Sequence, residues 1–180
     1  MQVSRTARQH GDMQRVLVLG RGGAGKSTLA RRLGEVTGLP VVELDALFWE
    51  PGLAGTAPER WAAVQQRLVG QDCWILDGDL GPYDHALDVR LRRADTVVLL
   101  NFSFPRCAWR AIRRGRERAD FWRWVWSYRR RSLPRLTRAI ATHAPHADLH
   151  LLRDPRAARR FLERSTHDPS ASRAPQHPGC

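Results

Sequence analysis

The sequence predicts an α/β fold: a five-stranded parallel sheet with helices on both faces. Three observations predict it. Short apolar runs of strand length recur at residues 15–19, 41–44, 73–76, 96–100 and 149–152, and helical patterns separate them. The run at 96–100 is almost wholly apolar, without the alternation of a half-exposed strand, as burial on both faces requires. The first run leads straight into a glycine-rich loop and then into a helical pattern, the order strand, loop, helix.

Residues 1–13 are polar and patternless and are expected to form a disordered arm; Met13, just before the first strand, is a candidate start. The loop after that strand is Gly20-Arg21-Gly22-Gly23-Ala24-Gly25-Lys26-Ser27-Thr28, which fits G-x-x-x-x-G-K-[ST], the Walker A phosphate loop. Glycines admit positive φ and a close approach of backbone to ligand. Consecutive N–H groups then point inward, and the following helix adds partial positive charge. Lys26 is expected to reach the outer phosphates of ATP, and the Ser27 hydroxyl to ligate Mg²⁺. The same letters also spell G-x-G-x-x-G through Gly20, Gly22 and Gly25, with Asp45 downstream as a ribose-binding acid. A dinucleotide site has no need of Lys-Ser after the last glycine, so the phosphate loop is the preferred reading. Lys26 is also the only lysine among 30 basic residues.

The first helix is expected over 25–36, stopping near Gly38. Asp45 stands near the C-terminal end of the second strand, and ligands of open parallel sheets bind beyond the strands' carboxyl ends. It is therefore placed for substrate or proton transfer, or else it caps the turn at 46–48. Residues 48–57 read as a loop. Pro58 starts a helix with Trp61, Val64, Leu68 and Val69 on one face, and Arg60 is a weak candidate for binding an acceptor phosphate. The third strand runs into Asp77-Gly78-Asp79, the Walker B pattern, whose Asp77 would hold Mg²⁺ directly or through water. Asp79 stands one step further out. Tyr83 and His85 follow in a loop, and a short helix covers 86–93.

A helix from Pro105 is expected to bury Cys107, Ala108, Ala111 and Ile112 and to expose Arg106, Arg110, Arg113 and Arg114 until Gly115 breaks it. Phe121, Trp124, Val125 and Tyr128 then share one helical face, with Trp124 and Tyr128 read as core. Pro134 restarts a helix that ends near His143. A last helix is expected over 157–162, and from Ser165 a disordered tail. The globular domain is thus placed at 14–164.

The formal net charge is +12, and twelve arginines stand against Glu117 and Asp120 between Arg106 and Arg138. Such a segment attracts phosphates, whether on nucleotides, nucleic acid or a membrane surface. Cys73, Cys107 and Cys180 show no metal spacing and read as free thiols of a reducing cytoplasm. No apolar run reaches the length of a membrane span, and the N-terminus lacks the apolar core of a signal peptide.

Over residues 15–162 the chain resembles the adenylate-kinase-like P-loop proteins known as DNA topology modulation proteins. The Walker loop carries the resemblance, with Leu44-Asp45-Ala46-Leu47-Phe48-Trp49 before Pro51-Gly52, Trp74-Ile75-Leu76-Asp77-Gly78, Asp88-Val89-Arg90-Leu91 with Ala94-Asp95-Thr96, and Trp124-Val125-Trp126-Ser127-Tyr128. It implies a nucleoside-monophosphate-kinase-like fold with strand order 2-3-1-4-5. It implies ATP phosphates on Gly20 to Thr28, the acceptor facing Asp45, Arg110, Arg113 and Arg114 clamping the moving phosphoryl group, and Arg153 near the adenine. Two departures stand out: the family usually has Asn where this chain has Asp79, and the lid segment at 118–121 is much shorter than usual. The implied activity is phosphoryl transfer from ATP to a small acceptor, by a monomer or homodimer. A nucleotide-binding regulator without turnover is the first alternative, since a short lid excludes water poorly. A nucleotide-dependent nucleic-acid binder is the second, since Trp122, Trp124 and Trp126 interleave with arginines.

Overall fold

A computed structural model of the chain describes residues 13–49, 55–115, 122 and 126–166. The first strand, β1 (Arg15–Gly20), is buried from Val16 onward. Val16 and Val18 turn to one face, where they meet Leu29, Ala30 and Leu33 of α1 (Lys26–Thr37) and Phe161 of the last helix. Leu17 and Leu19 turn to the other, against Trp61, Leu76, Leu91 and Ile140. A strand with apolar residues on both sides must be covered on both sides.

The sheet satisfies this as a three-layer structure. Its strands are β2 (Val41–Glu43), β3 (Trp74–Asp77), β1, β4 (Thr96–Leu100) and β5 (Asp148–Leu152), in the order β2-β3-β1-β4-β5 and all parallel. One face carries α1 and the C-terminal helix Pro155–Thr166. The other carries α3 (Pro58–Val69), α4 (Leu87–Arg93) and the helix Ser132–His143. The chain leaves β1 for the β2–β3 side and returns past it to β4 and β5. That reversal opens a crevice at the carboxyl end of β1, where the glycine loop sits.

Element boundaries follow local chemistry. Gly25 and Gly38, both left-handed, bracket α1, and the Gly38 N–H bonds the Gly34 carbonyl at 2.8 Å. The expected strand at 41–44 is shorter. Leu44 opens a one-turn helix, α2 (Leu44–Phe48), and is wholly buried there, under Gly78. The helix α5 (Phe104–Arg114) buries Cys107 and Ala111 as expected, but Ile112 is 60% exposed. Small residues at 107 and 111 let α5 press its backbone on the glycine loop, which leaves Ile112 off the contact. We number the helix Ser132–His143 α6 and the helix Pro155–Thr166 α7.

The expected tail begins too early, because α7 runs through Ser165 to Thr166. Ser165 is 2% exposed and donates its hydroxyl to the Phe161 carbonyl at 3.0 Å, so it belongs to the domain. Met13, expected in the arm, is partly buried against the core. The readings placed on 1–12, on the segment 118–121, on Trp124 and on 167–180 lie outside the described residues. Cys107 is a buried free thiol. Cys73 is disulfide-bonded, against the expectation, which removes the cysteine argument for a reducing compartment. An odd cysteine count cannot assign pairs. Among the described residues no helix is long and apolar enough to cross a membrane.

Candidate active site

The glycine loop is shaped by its neighbour α5. Gly23 has φ +77°, and a Cβ there would lie 2.5 Å from the Cys107 carbonyl oxygen. Gly25, at φ +94°, caps α1, with the Arg110 guanidinium directly over it. No side chain caps α1 and no acid sits in its first turn. The amides of its first turn, which no intrahelical carbonyl can reach, are therefore left for an anion. Lys26 donates its ammonium to the Gly20 carbonyl at 2.9 Å, held back along its own loop. Thr28 is exposed beside it, while Gly22 and Ala24 are buried.

Arg21 differs from its expected place. Its side chain is 1% exposed, with the guanidinium 5.1 Å over the Tyr128 ring and 5.8 Å over that of Phe104. Burial lowers its pKa, with the thiol of Cys107 and the phenol of Tyr128 opposing. Arg21 thus offers the loop its backbone only, and its side chain ties the loop to Tyr128. Burial and nearby Asp79 in turn push the Tyr128 phenol up.

The carboxylates stand at the ends of β2 and β3. Ser27, on α1, lies close enough to the Asp77 carboxylate for its hydroxyl to favour the charged form. Asp77 is 4% exposed, and its Oδ1 has no hydrogen-bond partner among the described residues. Burial raises its pKa; the Ser27 hydroxyl and the Lys26 ammonium pull it back, and Asp45 adds like-charge repulsion. A buried carboxylate oxygen without a partner, beside a hydroxyl, suits a hard cation. Among the described residues no three His, Cys, Asp or Glu converge on a metal position. Mg²⁺ takes one or two protein ligands and completes its shell with phosphate and water, and Asp77 with Ser27 would supply those two.

Asp45 occupies the first turn of α2. Its surface is exposed at the crevice, yet partial desolvation raises its pKa, opposed by Lys26. Asp79 accepts the Gly81 N–H at 3.0 Å and is pushed up to about 6, chiefly by burial, with Lys26 opposing. Of the three expected arginines, Arg110 reaches the loop: its Nη1 donates to the Ala24 carbonyl at 3.2 Å. Arg113 does not, since its guanidinium lies 5.3 Å over the Trp109 ring on an exposed face. Arg114 ends α5. Arg153 is exposed just beyond β5, two strands from β1. Arg60 already has an interaction partner.

Sequence reasoning missed the support behind these loops. Arg90 is wholly buried on α4, paired with both carboxylate oxygens of Asp84 and donating to Gln65 Oε1 at 2.9 Å. The signal was present: Gln65 sits four residues from both Trp61 and Val69, in the stripe that faces the core. This network fixes the loop after β3, and with it Asp79.

No protein-family model matches the chain, and no curated protein matches it. Solved structures do. Shikimate kinase from Acinetobacter baumannii, solved with shikimate, aligns over 86% of this chain and 91% of its own, at a TM-score of 0.62 and 17% identity. Shikimate kinase from Bacteroides thetaiotaomicron aligns over 85% and 96%, at 0.54 and 20%. A gluconokinase from Sinorhizobium meliloti aligns over 89% and 93%, at 0.52 and 16%. The fold is that of the P-loop kinases. At these identities the likeness is one of fold, and it agrees with the strand order and the loop geometry above.

Proposed function

We propose that the chain is an ATP-dependent kinase, which moves the γ-phosphoryl group of ATP to a small acceptor. One observation carries this reading: Lys26, the Ser27–Asp77 pair and Arg110 converge on a single glycine loop, with Asp45 exposed beside it. The finer reading, membership of the DNA topology modulation family, rests on the sequence motifs.

Phosphoryl transfer asks a protein for positioning and charge neutralisation rather than covalent chemistry. The amides of Gly22 to Thr28 and the Lys26 ammonium hold the phosphate chain. Ser27 and Asp77 would hold Mg²⁺, which supplies positive charge to the phosphates. Arg110 stabilises charge on the group in flight. Asp45 orients the acceptor hydroxyl and takes its proton. The acceptor oxygen forms the new P–O bond, the bond between γ-phosphorus and the bridging oxygen breaks, and ADP leaves with that electron pair.

A second reading, nucleotide-dependent nucleic-acid binding, is favoured by a groove of about 460 Å³ on α6 that Arg131, Arg135, Arg138 and His143 line. The deciding experiment is ADP release with Mg²⁺ and an acceptor panel, for the wild type and Lys26→Ala. Turnover in the wild type and a loss of about 10²-fold or more in the variant support the kinase. Undiminished turnover without Lys26 refutes it. Binding of ATP without ADP release on any acceptor selects the regulator, and a salt-dependent affinity for DNA or RNA selects the nucleic-acid binder.

A further inference from the structure

Two aromatic rings form an open corner beside the carboxylates. Trp49 is 37% exposed and Tyr83 is 50% exposed; their centroids are 5.5 Å apart and their planes 75° from parallel. Behind them Phe48 is buried, edge-on to Trp49 at 4.9 Å and to Trp61 at 5.0 Å. The returning chain locks this backing in place. The Thr56 amide and hydroxyl both donate to the Phe48 carbonyl, at 3.0 and 2.7 Å, and Gly55 lies against the Phe48 ring. The rings are open to solvent while their support is buried, so the pair presents a fixed aromatic surface.

The corner adjoins the proposed acceptor position. Trp49 follows α2 directly, and its N–H points to the Asp45 carbonyl at 3.4 Å. Tyr83 ends the turn Gly81–Tyr83, whose first amide is held by Asp79. Both Asp45 and Asp79 sense the Lys26 ammonium.

The charge around the corner is opposite to that of the whole chain. No lysine or arginine occurs between Arg32 and Arg60, or between Arg67 and Arg90, the two stretches that supply these loops. Glu43, Asp45 and Asp79 lie there instead. Arg90, which reaches back, is buried against Asp84, and Arg60 has a partner of its own. Among the described residues, then, β2, β3 and the loops that follow them carry no lysine or arginine, and the cation these acids sense is Lys26 of the glycine loop.

We propose that the acceptor is a non-anionic hydroxyl compound, an unphosphorylated sugar, cyclitol or amino alcohol, seated on Trp49 and Tyr83. The reading rests on the kinase assignment and narrows it. Hydroxyl or ammonium groups donate to the carboxylates of Asp45 and Asp79, and a C–H or ammonium face lies on the rings. Among the described residues, a phosphate or carboxylate on the acceptor would meet the like charges of Glu43, Asp45 and Asp79, which disfavours it relative to its neutral counterpart. Nucleoside monophosphates are therefore expected to bind this site less tightly than their nucleosides.

The test is isothermal titration of the protein loaded with a non-hydrolysable ATP analogue and Mg²⁺. The probes are matched sets: glucosamine, glucose, gluconate and glucose 6-phosphate; adenosine and AMP. At least one non-anionic probe is expected to bind tenfold or more tightly than its anionic counterpart. Trp49→Ala and, separately, Tyr83→Leu are expected to weaken that binding about tenfold and leave affinity for the ATP analogue unchanged. Three results overturn the proposal: an anionic probe that binds as tightly as its neutral partner, no binding by any non-anionic probe, or binding indifferent to both substitutions. Failure of the ATP analogue itself to bind overturns the kinase assignment instead.

Discussion

The Arg110 guanidinium donates to the Ala24 carbonyl at 3.2 Å, joining residues 86 apart in the chain. The contact sets a cation over the mouth of the glycine loop while leaving the side chain mostly in water. Arg110→Ala is expected to lower kcat by about 10²-fold, the usual effect of removing one group that stabilises transition-state charge. The melting temperature should hardly move. Arg113→Ala, which loses only an exposed stack on Trp109, is expected to change kcat less than about threefold, since an exposed cation–π contact is weak. Steady-state kinetics and thermal unfolding of the two variants separate these roles.

Gly23→Ala tests the loop's shape. The substitution places a methyl group 2.5 Å from the Cys107 carbonyl at a residue with φ +77°. Backbone strain alone costs about 1–3 kcal/mol, and the clash moves α5 or the loop. Urea unfolding should show the loss, and the titration of ATP should show weakened binding even at temperatures where the variant is folded.

The buried pair Asp84–Arg90 is expected to matter more than its neighbour Asp88–Arg92. Asp84→Ala leaves a guanidinium buried without its carboxylate, and breaking a buried pair this way costs about 3–5 kcal/mol. Asp88→Ala removes an exposed contact of 3.8 Å and should cost less than about 0.5 kcal/mol. Denaturation midpoints of the two variants, compared at equal slope, check the difference. Loss of Asp84 should also disturb Asp79, and so raise KM for the acceptor.

Folding raises the Asp79 carboxyl from 3.8 to about 6. Between those values the native protein keeps a proton that the unfolded chain has released. Stability therefore falls as pH rises through that window, and the penalty is complete above it. Asp79→Asn keeps the bond to the Gly81 amide and removes the charge. It should flatten that limb of the stability curve and be more stable than wild type at pH 7 by about 1–2 kcal/mol, discounted for partial exposure. A pH series of urea melts tests the sign: a wild type that gains stability from pH 4 to 6 relative to the variant would refute it.

The strands and the phosphate loop were legible in the sequence, because their determinants are local, while the strand order was implied by the family resemblance. Val16, Leu17, Val18 and Leu19 must be buried on both faces, and Gly25-Lys26-Ser27 has one common structural use. Asp77 was readable for the same reason, as a carboxylate closing an apolar strand. Only the tertiary structure decided which way side chains turn where several orientations satisfy the pattern. Arg21 and Arg110 are alike in the sequence, yet one is buried against Tyr128 and the other lies open over Gly25. Arg90 and Gln65 complete one another across a gap of 25 residues, and no periodicity reports such a pairing. The corner of Trp49 and Tyr83 likewise exists only because β2 and β3 are neighbours in the sheet. Hydrophobic pattern and glycine chemistry act over a few residues, so sequence alone determines them; a buried charge finds its partner, and an exposed ring its neighbour, only when the packed layers bring distant loops together.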